Sequence, residues 1–250
     1  MNNRRTQSHA IDLEHGGVLV LYTQDTSIVD TVAHQTDSIL RWLGTPKGFT
    51  VYLWWRDDAR TLRADEWPSR KTVNGGWTTS HSREVHIYRS EEWDRVLIHE
   101  AIHALGWDWN MSTLPLPCWK FTDRDRISPH LFEAWTELLA EWLWCGWHNV
   151  SWQQQMEWQR FQAVQILARR KYMPTWNENT SVFAYYVLKA TLAKHIAFLW
   201  MAGNGKTLEE RERILCEWVQ PELATLRNEA NNTQPVAISL RMTTEHDVKN

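Results

Sequence analysis

The chain has 250 residues, 23% charged and 43% hydrophobic, which suits one large domain or two lobes and excludes wholesale disorder, a low-complexity fibre and a minimal stapled scaffold. Its formal charge of −3 comes from 30 acidic and 27 basic residues that are mixed along the chain, so no single-sign field draws it to nucleic acid or an anionic membrane. Tryptophan is the compositional outlier, at 18 residues against 6 Tyr and 6 Phe.

A polar tail is expected to residue 14. Residues 18–22 (VLVLY) read as a buried strand, and residues 25–43, with Ile28, Val32, Ile39, Trp42 and Leu43 at helical spacing, as a helix closed by Gly44 and Pro46. Residues 49–55 (FTVYLWW) predict a second strand, 56–71 a charged connection, and 74–79 and 84–89 two further strands. Ser90 reads as the N-cap of a helix that runs to Leu105 and ends at Gly106. After a Pro-containing loop, Ser128-Pro129 starts a helix to residue 144 that stops at Gly146. Helices are also expected over 152–172, 180–201, 207–219 (with a Thr207/Glu210 capping box) and 222–229, before a polar tail from 231 that contains one short apolar piece, 236–240. The pattern predicts an α+β fold. A mixed β/α lobe spans 15–110, a helical lobe spans 128–230, and tails cover 1–14 and 231–250.

Cys118, Cys145 and Cys216 are too few for a disulfide framework and predict free thiols. No apolar run follows Arg4 and Arg5, and the most apolar stretch, 182–201, carries Lys189, Lys194 and His195 near its middle. A cytoplasmic protein without a membrane span is the expectation; oligomeric state is not legible.

Chemistry concentrates at His99-Glu100-Ala101-Ile102-His103, an HExxH motif inside the helix that starts near Ser90. Two histidines at i and i+4 share one helix face and can both ligate zinc, while Glu100 beside the first can take a proton from a water that the metal activates. Such a set encodes hydrolysis rather than metal storage. A later helix carries Glu133, Glu137 and Glu141 at successive i+4 steps among Leu131, Phe132, Trp135, Leu138, Leu139, Trp142 and Leu143. Three acids on the one polar stripe of an apolar helix need a cation or basic partners facing them, unless the stripe is the solvent face.

At these residues the chain resembles the gluzincin group of zinc metallopeptidases, in which a glutamate on a later helix completes the HExxH site. The match of Thr136-Glu137-Leu138-Leu139-Ala140-Glu141 to that family's glutamate helix implies zinc held by His99, His103 and Glu137. It also implies Glu141 as an acceptor orienting a ligand histidine, with Glu133 the alternative ligand. The resemblance implies a zincin-like fold, a peptide or protein substrate, and an edge strand along the cleft, here around Gly75, Gly76 and Trp77, that aligns substrate backbone by strand addition. It implies an oxyanion donor downstream, for which Tyr185 and Tyr186 lead, with His195 and His130 behind them. The chain departs from the metzincin extension of the motif because Trp109 stands where a third histidine would be; Asp108 is one place off. A competing expectation is a catalytically inactive zincin-like module that keeps a structural metal. Sugar binding by exposed tryptophans rests on composition alone, and no basic groove for nucleic acid is visible. Ten of the tryptophans fall between Trp93 and Trp158, so most indoles are expected to lie buried around the two ligand helices.

Overall fold

The computed structural model describes residues 6–108, 130–172, 175–197 and 208–244. Their contacts divide into two compact units, one drawn from Met1–Ala59 and Asn74–Trp107, the other from Arg60–Val73 and Asp108–Asn250.

The first unit is built on a mixed sheet, β1 (Gln7–Asp12), β2 (Val18–Thr23), β3 (Thr50–Trp54), β5 (Gly76–Thr78) and β6 (Glu84–Ile87), in the order β1-β2-β3-β6-β5. β2, β3 and β6 run parallel; the outer strands β1 and β5 run antiparallel to their neighbours. Period-2 alternation puts Leu19, Val51 and Val85 in one cross-strand row and Leu21, Leu53 and Ile87 in the next, all fully buried. Each contributes roughly 1.5–3 kcal/mol by leaving water. Helices α1 (Val29–Trp42) and α3 (Trp93–Leu105) cover this sheet, and the expected connection at Gly44 is a left-handed cap with φ +66°. Residues 7–12, expected as tail, form the edge strand β1. Its side chains are mostly exposed, so backbone pairing to β2 holds it and hydropathy carries no signal.

Ser90 does not cap α3. Its hydroxyl donates to the Arg56 carbonyl at 2.9 Å, and the cap position falls to Glu92, in left-handed conformation with φ 54°. The C-terminus at Gly106 is as expected, with φ +67°.

The second unit is largely helical: α4 (Leu131–His148), α5 (Trp152–Ala168), a π-helical stretch Phe183–Leu188 that leads into α6 (Lys189–Leu192), and α7 (Leu208–Asn231). α4 runs past Gly146 to a left-handed cap at Asn149. α7 replaces the two helices expected around Pro221. The buried row Leu215, Val219, Leu223, Leu226 and Ala230 continues across the proline, so packing outweighs the one backbone bond lost there. Thr207 and the start of the capping box, like Ser128-Pro129, lie outside the described residues.

The unit boundary differs from the expected 15–110 and 128–230. Residues 60–73 belong with the second unit, where β4 (Thr61–Leu62) pairs antiparallel with β7 (Ile238–Ser239) from the expected tail and α2 (Arg70–Val73) makes a single turn. A charged connection conceals its buried anchor, Arg169. That guanidinium donates to the carbonyls of Arg63, Glu66, Gln165 and Val236, fastening both segments to the end of α5.

Among the described residues no helix is long and apolar enough to cross a membrane. Cys216 is disulfide-bonded, contrary to the expected free thiols, and Cys145 is free and buried. Free thiols therefore offer no argument about the redox compartment.

Candidate metal centre and substrate edge

Within the first unit, α3 projects His99 and His103 one turn apart on the same face. Their Nε2 atoms lie 3.1 Å from each other and the ring planes are inclined by 74°. Two nitrogens at about 2.0–2.1 Å on a tetrahedral zinc stand roughly 3.3 Å apart, so the pair fits a shared zinc. His99 is buried, His103 half-buried, and Glu100 is only 6% exposed.

Glu100 faces the edge strand. A Cβ built on Gly76 would stand 2.6 Å from the His86 carbonyl oxygen, 2.9 Å from Val96 and 3.0 Å from Glu100 Oε1; one on Gly75 would meet Val96 at 2.7 Å. These glycines were expected to admit a substrate backbone. The structure shows a nearer reason for them: they let the edge strand lie directly on α3, which sets β5 beside Glu100. Gly76→Ala is expected to cost about 1–3 kcal/mol in urea unfolding, because the blocking atom is backbone and cannot rotate away. Gly146→Ala, on α4 with nothing within 4 Å, is the control of opposite sign, expected to gain roughly 0.5–1 kcal/mol.

Trp77 is 44% exposed, on the sheet face opposite α3, and its indole stacks on His86. The wider expectation for tryptophan fails. Of the ten between Trp93 and Trp158, Trp93, Trp135 and Trp144 are buried, whereas Trp107 and Trp142 are more than two-fifths exposed. Trp109 and Trp119 lie outside the described residues, as does Cys118. Dense tryptophan in a sequence window does not put the rings on one side of a helix: Trp142 and Trp144 are two residues apart and face opposite ways.

The acidic stripe of α4, within the second unit, resolves into three environments. Glu141 is fully buried and ion-paired with Lys189, whose ammonium donates to Oε1, while the side-chain amides of Gln155 and Gln159 donate to Oε2. Burial, with the Glu141 charge adding to it, pushes the neighbouring Cys145 thiol up to about 12, so that sulfur stays protonated. The resemblance implied Glu141 as the acceptor that orients a ligand histidine; the bonds described for it join it to Lys189, Gln155 and Gln159. Glu137 is 2% exposed. Glu133 is half-buried in the first turn and accepts a hydrogen bond from the Tyr185 hydroxyl at 3.1 Å.

No protein-family profile, curated protein or solved structure matches the chain. The reading of the site therefore rests on its own geometry.

That geometry also sorts the expected oxyanion donors. Tyr186 is fully buried and gives its proton to the Leu240 carbonyl at 3.0 Å, as a core tyrosine does. The Tyr185 proton goes to Glu133. His195 stacks on Trp218 at 4.7 Å, and burial holds its pKa below the ordinary imidazole value. His130 precedes α4, 5.2 Å from the Phe132 ring, and Asp108 is half-buried. Sequence reasoning missed Lys189, Gln155 and Gln159 as partners of the stripe. The signal was present: a lysine in the middle of the most apolar stretch needs a buried anion.

Proposed function

We propose that this protein is a zinc-dependent peptidase of gluzincin type, with His99 and His103 as histidine ligands and Glu100 as the general base. The observation that carries the reading is within α3 and its edge strand: two convergent imidazoles at zinc-ligand spacing and, in the next residue, a nearly buried carboxylate turned to β5. A structural metal site would gain nothing from that carboxylate.

The third ligand is proposed to come from α4. Glu133 is the carboxylate we favour, since Tyr185 holds it in the way an outer hydrogen bond orients a metal-ligating carboxylate. Glu137, the residue the family resemblance implies, is the alternative. Zinc, when bound, polarises a peptide carbonyl and lowers the pKa of water toward 7. Glu100 takes the proton of the attacking water and returns it to the leaving amine, a relay that suits a carboxylate shielded from solvent. β5 aligns the peptide by strand addition, and Tyr185 is a positioning residue for Glu133 rather than an oxyanion donor.

The test is metal content and chelator-sensitive cleavage of a broad peptide library. Zinc is expected at one equivalent, reduced at least tenfold in occupancy by His99→Ala, His103→Ala and Glu133→Ala, with Glu137→Ala retaining it. Loss confined to Glu137→Ala would instead assign that residue. Absence of zinc from wild type, or zinc without chelator-sensitive cleavage, defeats the peptidase reading.

A further inference from the structure

The sheet face turned away from α3 carries a row of stacked rings. Tyr52 on β3, His86 on β6 and Trp77 on β5 are directly opposite one another in register. Tyr52 and His86 are 4.7 Å apart with planes inclined by 6°; His86 and Trp77 are 4.2 Å apart and inclined by 2°. The spacing follows the roughly 4.8 Å between strands, so each strand contributes one ring to a continuous ladder. Burial holds the His86 pKa below its ordinary value, which keeps the middle ring neutral at physiological pH. The ladder ends at Trp77 because the sheet ends at β5.

Backbone polarity at that edge is fixed by one bond. The Tyr88 N–H donates to the Gly75 carbonyl at 2.8 Å, which makes 75/88 a hydrogen-bonded pair. Alternation along an antiparallel ladder then makes 77/86 another, and turns the N–H and C=O groups of Gly76 and Thr78 outward. A strand added there bonds to Gly76 and Thr78. Its residue opposite Trp77 projects onto the sheet's ladder face, and its neighbours project to the α3 side, where Glu100 lies against Gly76.

We infer that Trp77 is a specificity residue that selects an aromatic side chain in an extended peptide, the peptide's ring extending the Tyr52–His86–Trp77 stack by one. This deepens the peptidase reading and rests on it for the position of the scissile bond. The selected residue is the immediate neighbour of one whose side chain faces Glu100.

The experiment uses full-length Glu100→Gln protein, which binds without cleaving, and fluorescent peptides in which a single Tyr walks along an otherwise Ala/Ser chain. One register is expected to bind about three- to tenfold tighter than the rest, a preference lost in Trp77→Ala and kept in Trp77→Phe. In wild-type enzyme the same register should locate the cut beside the Tyr. Equal binding in all registers, or a preference that Trp77→Ala leaves intact, overturns the inference. Register-dependent binding in Glu100→Gln, without any chelator-sensitive cleavage by wild type, would uphold the aromatic site and sink only the peptidase reading.

Discussion

Glu100→Gln is expected to lower kcat for peptide cleavage by about 10²–10⁴-fold while zinc content, melting temperature and peptide binding stay within error of wild type. The substitution keeps the shape of the side chain and removes only its basicity. Since Glu100 is buried at the contact between α3 and Gly76, a larger change would confound chemistry with packing. The amide still fits beside Gly76. It does not accept a proton at neutral pH, so the proton of the attacking water and the one required by the leaving amine have no carrier. The comparison with His99→Ala separates the roles: that variant should lose metal and activity together, whereas Glu100→Gln should lose activity alone. A Glu100→Gln protein that cleaves like wild type would remove the general base and leave the inactive metal-bearing module as the better description. Stopped single-turnover measurements would place the loss in the chemical step rather than in substrate binding.

How much of this was legible beforehand depended on whether the signal was local. The HExxH spacing dictates that His99 and His103 share a face, and the left-handed Gly106 that ends α3 is a local requirement, so both appear where the sequence put them. Strands β2, β3 and β6 show their period-2 apolar rows for the same reason. β1 does not, because an exposed edge strand is held by backbone groups that every residue carries. Residues 60–73 and 236–240 find each other across the chain through β4, β7 and Arg169, and no spacing rule announces a contact between segments that far apart. The acidic stripe of α4 was half-legible. Its need for a positive partner followed from burial, yet whether a metal or a lysine meets a given carboxylate is a question of tertiary position. For Glu141 the answer is Lys189, an internal ion pair that composition alone would have called improbable.

Lys189→Ala is expected to destabilise the second unit by about 3–5 kcal/mol, since it leaves the Glu141 carboxylate in the core without its cation. Both side chains are wholly inaccessible to solvent, so water cannot take the place of the ammonium. Glu141→Ala should cost a similar amount, because it strands the Lys189 ammonium and the amides of Gln155 and Gln159 that donate to the same carboxylate. Gln155 extends the network to the Met242 carbonyl and the Thr244 N–H, so damage at Glu141 should also loosen the segment after β7. The informative variant is the double replacement Glu141→Gln with Lys189→Met. It removes both charges, keeps a carbonyl oxygen for the glutamine amides, and fills the lysine's path with an apolar side chain of similar length. Its cost should fall to under about 1.5 kcal/mol, well short of the sum of the single substitutions, as expected when two partners are removed together. Urea unfolding with the m-value held in common reads all three. Additive losses in the double variant would show that Glu141 and Lys189 act independently, and would reopen Glu141 as a residue that serves the metal site.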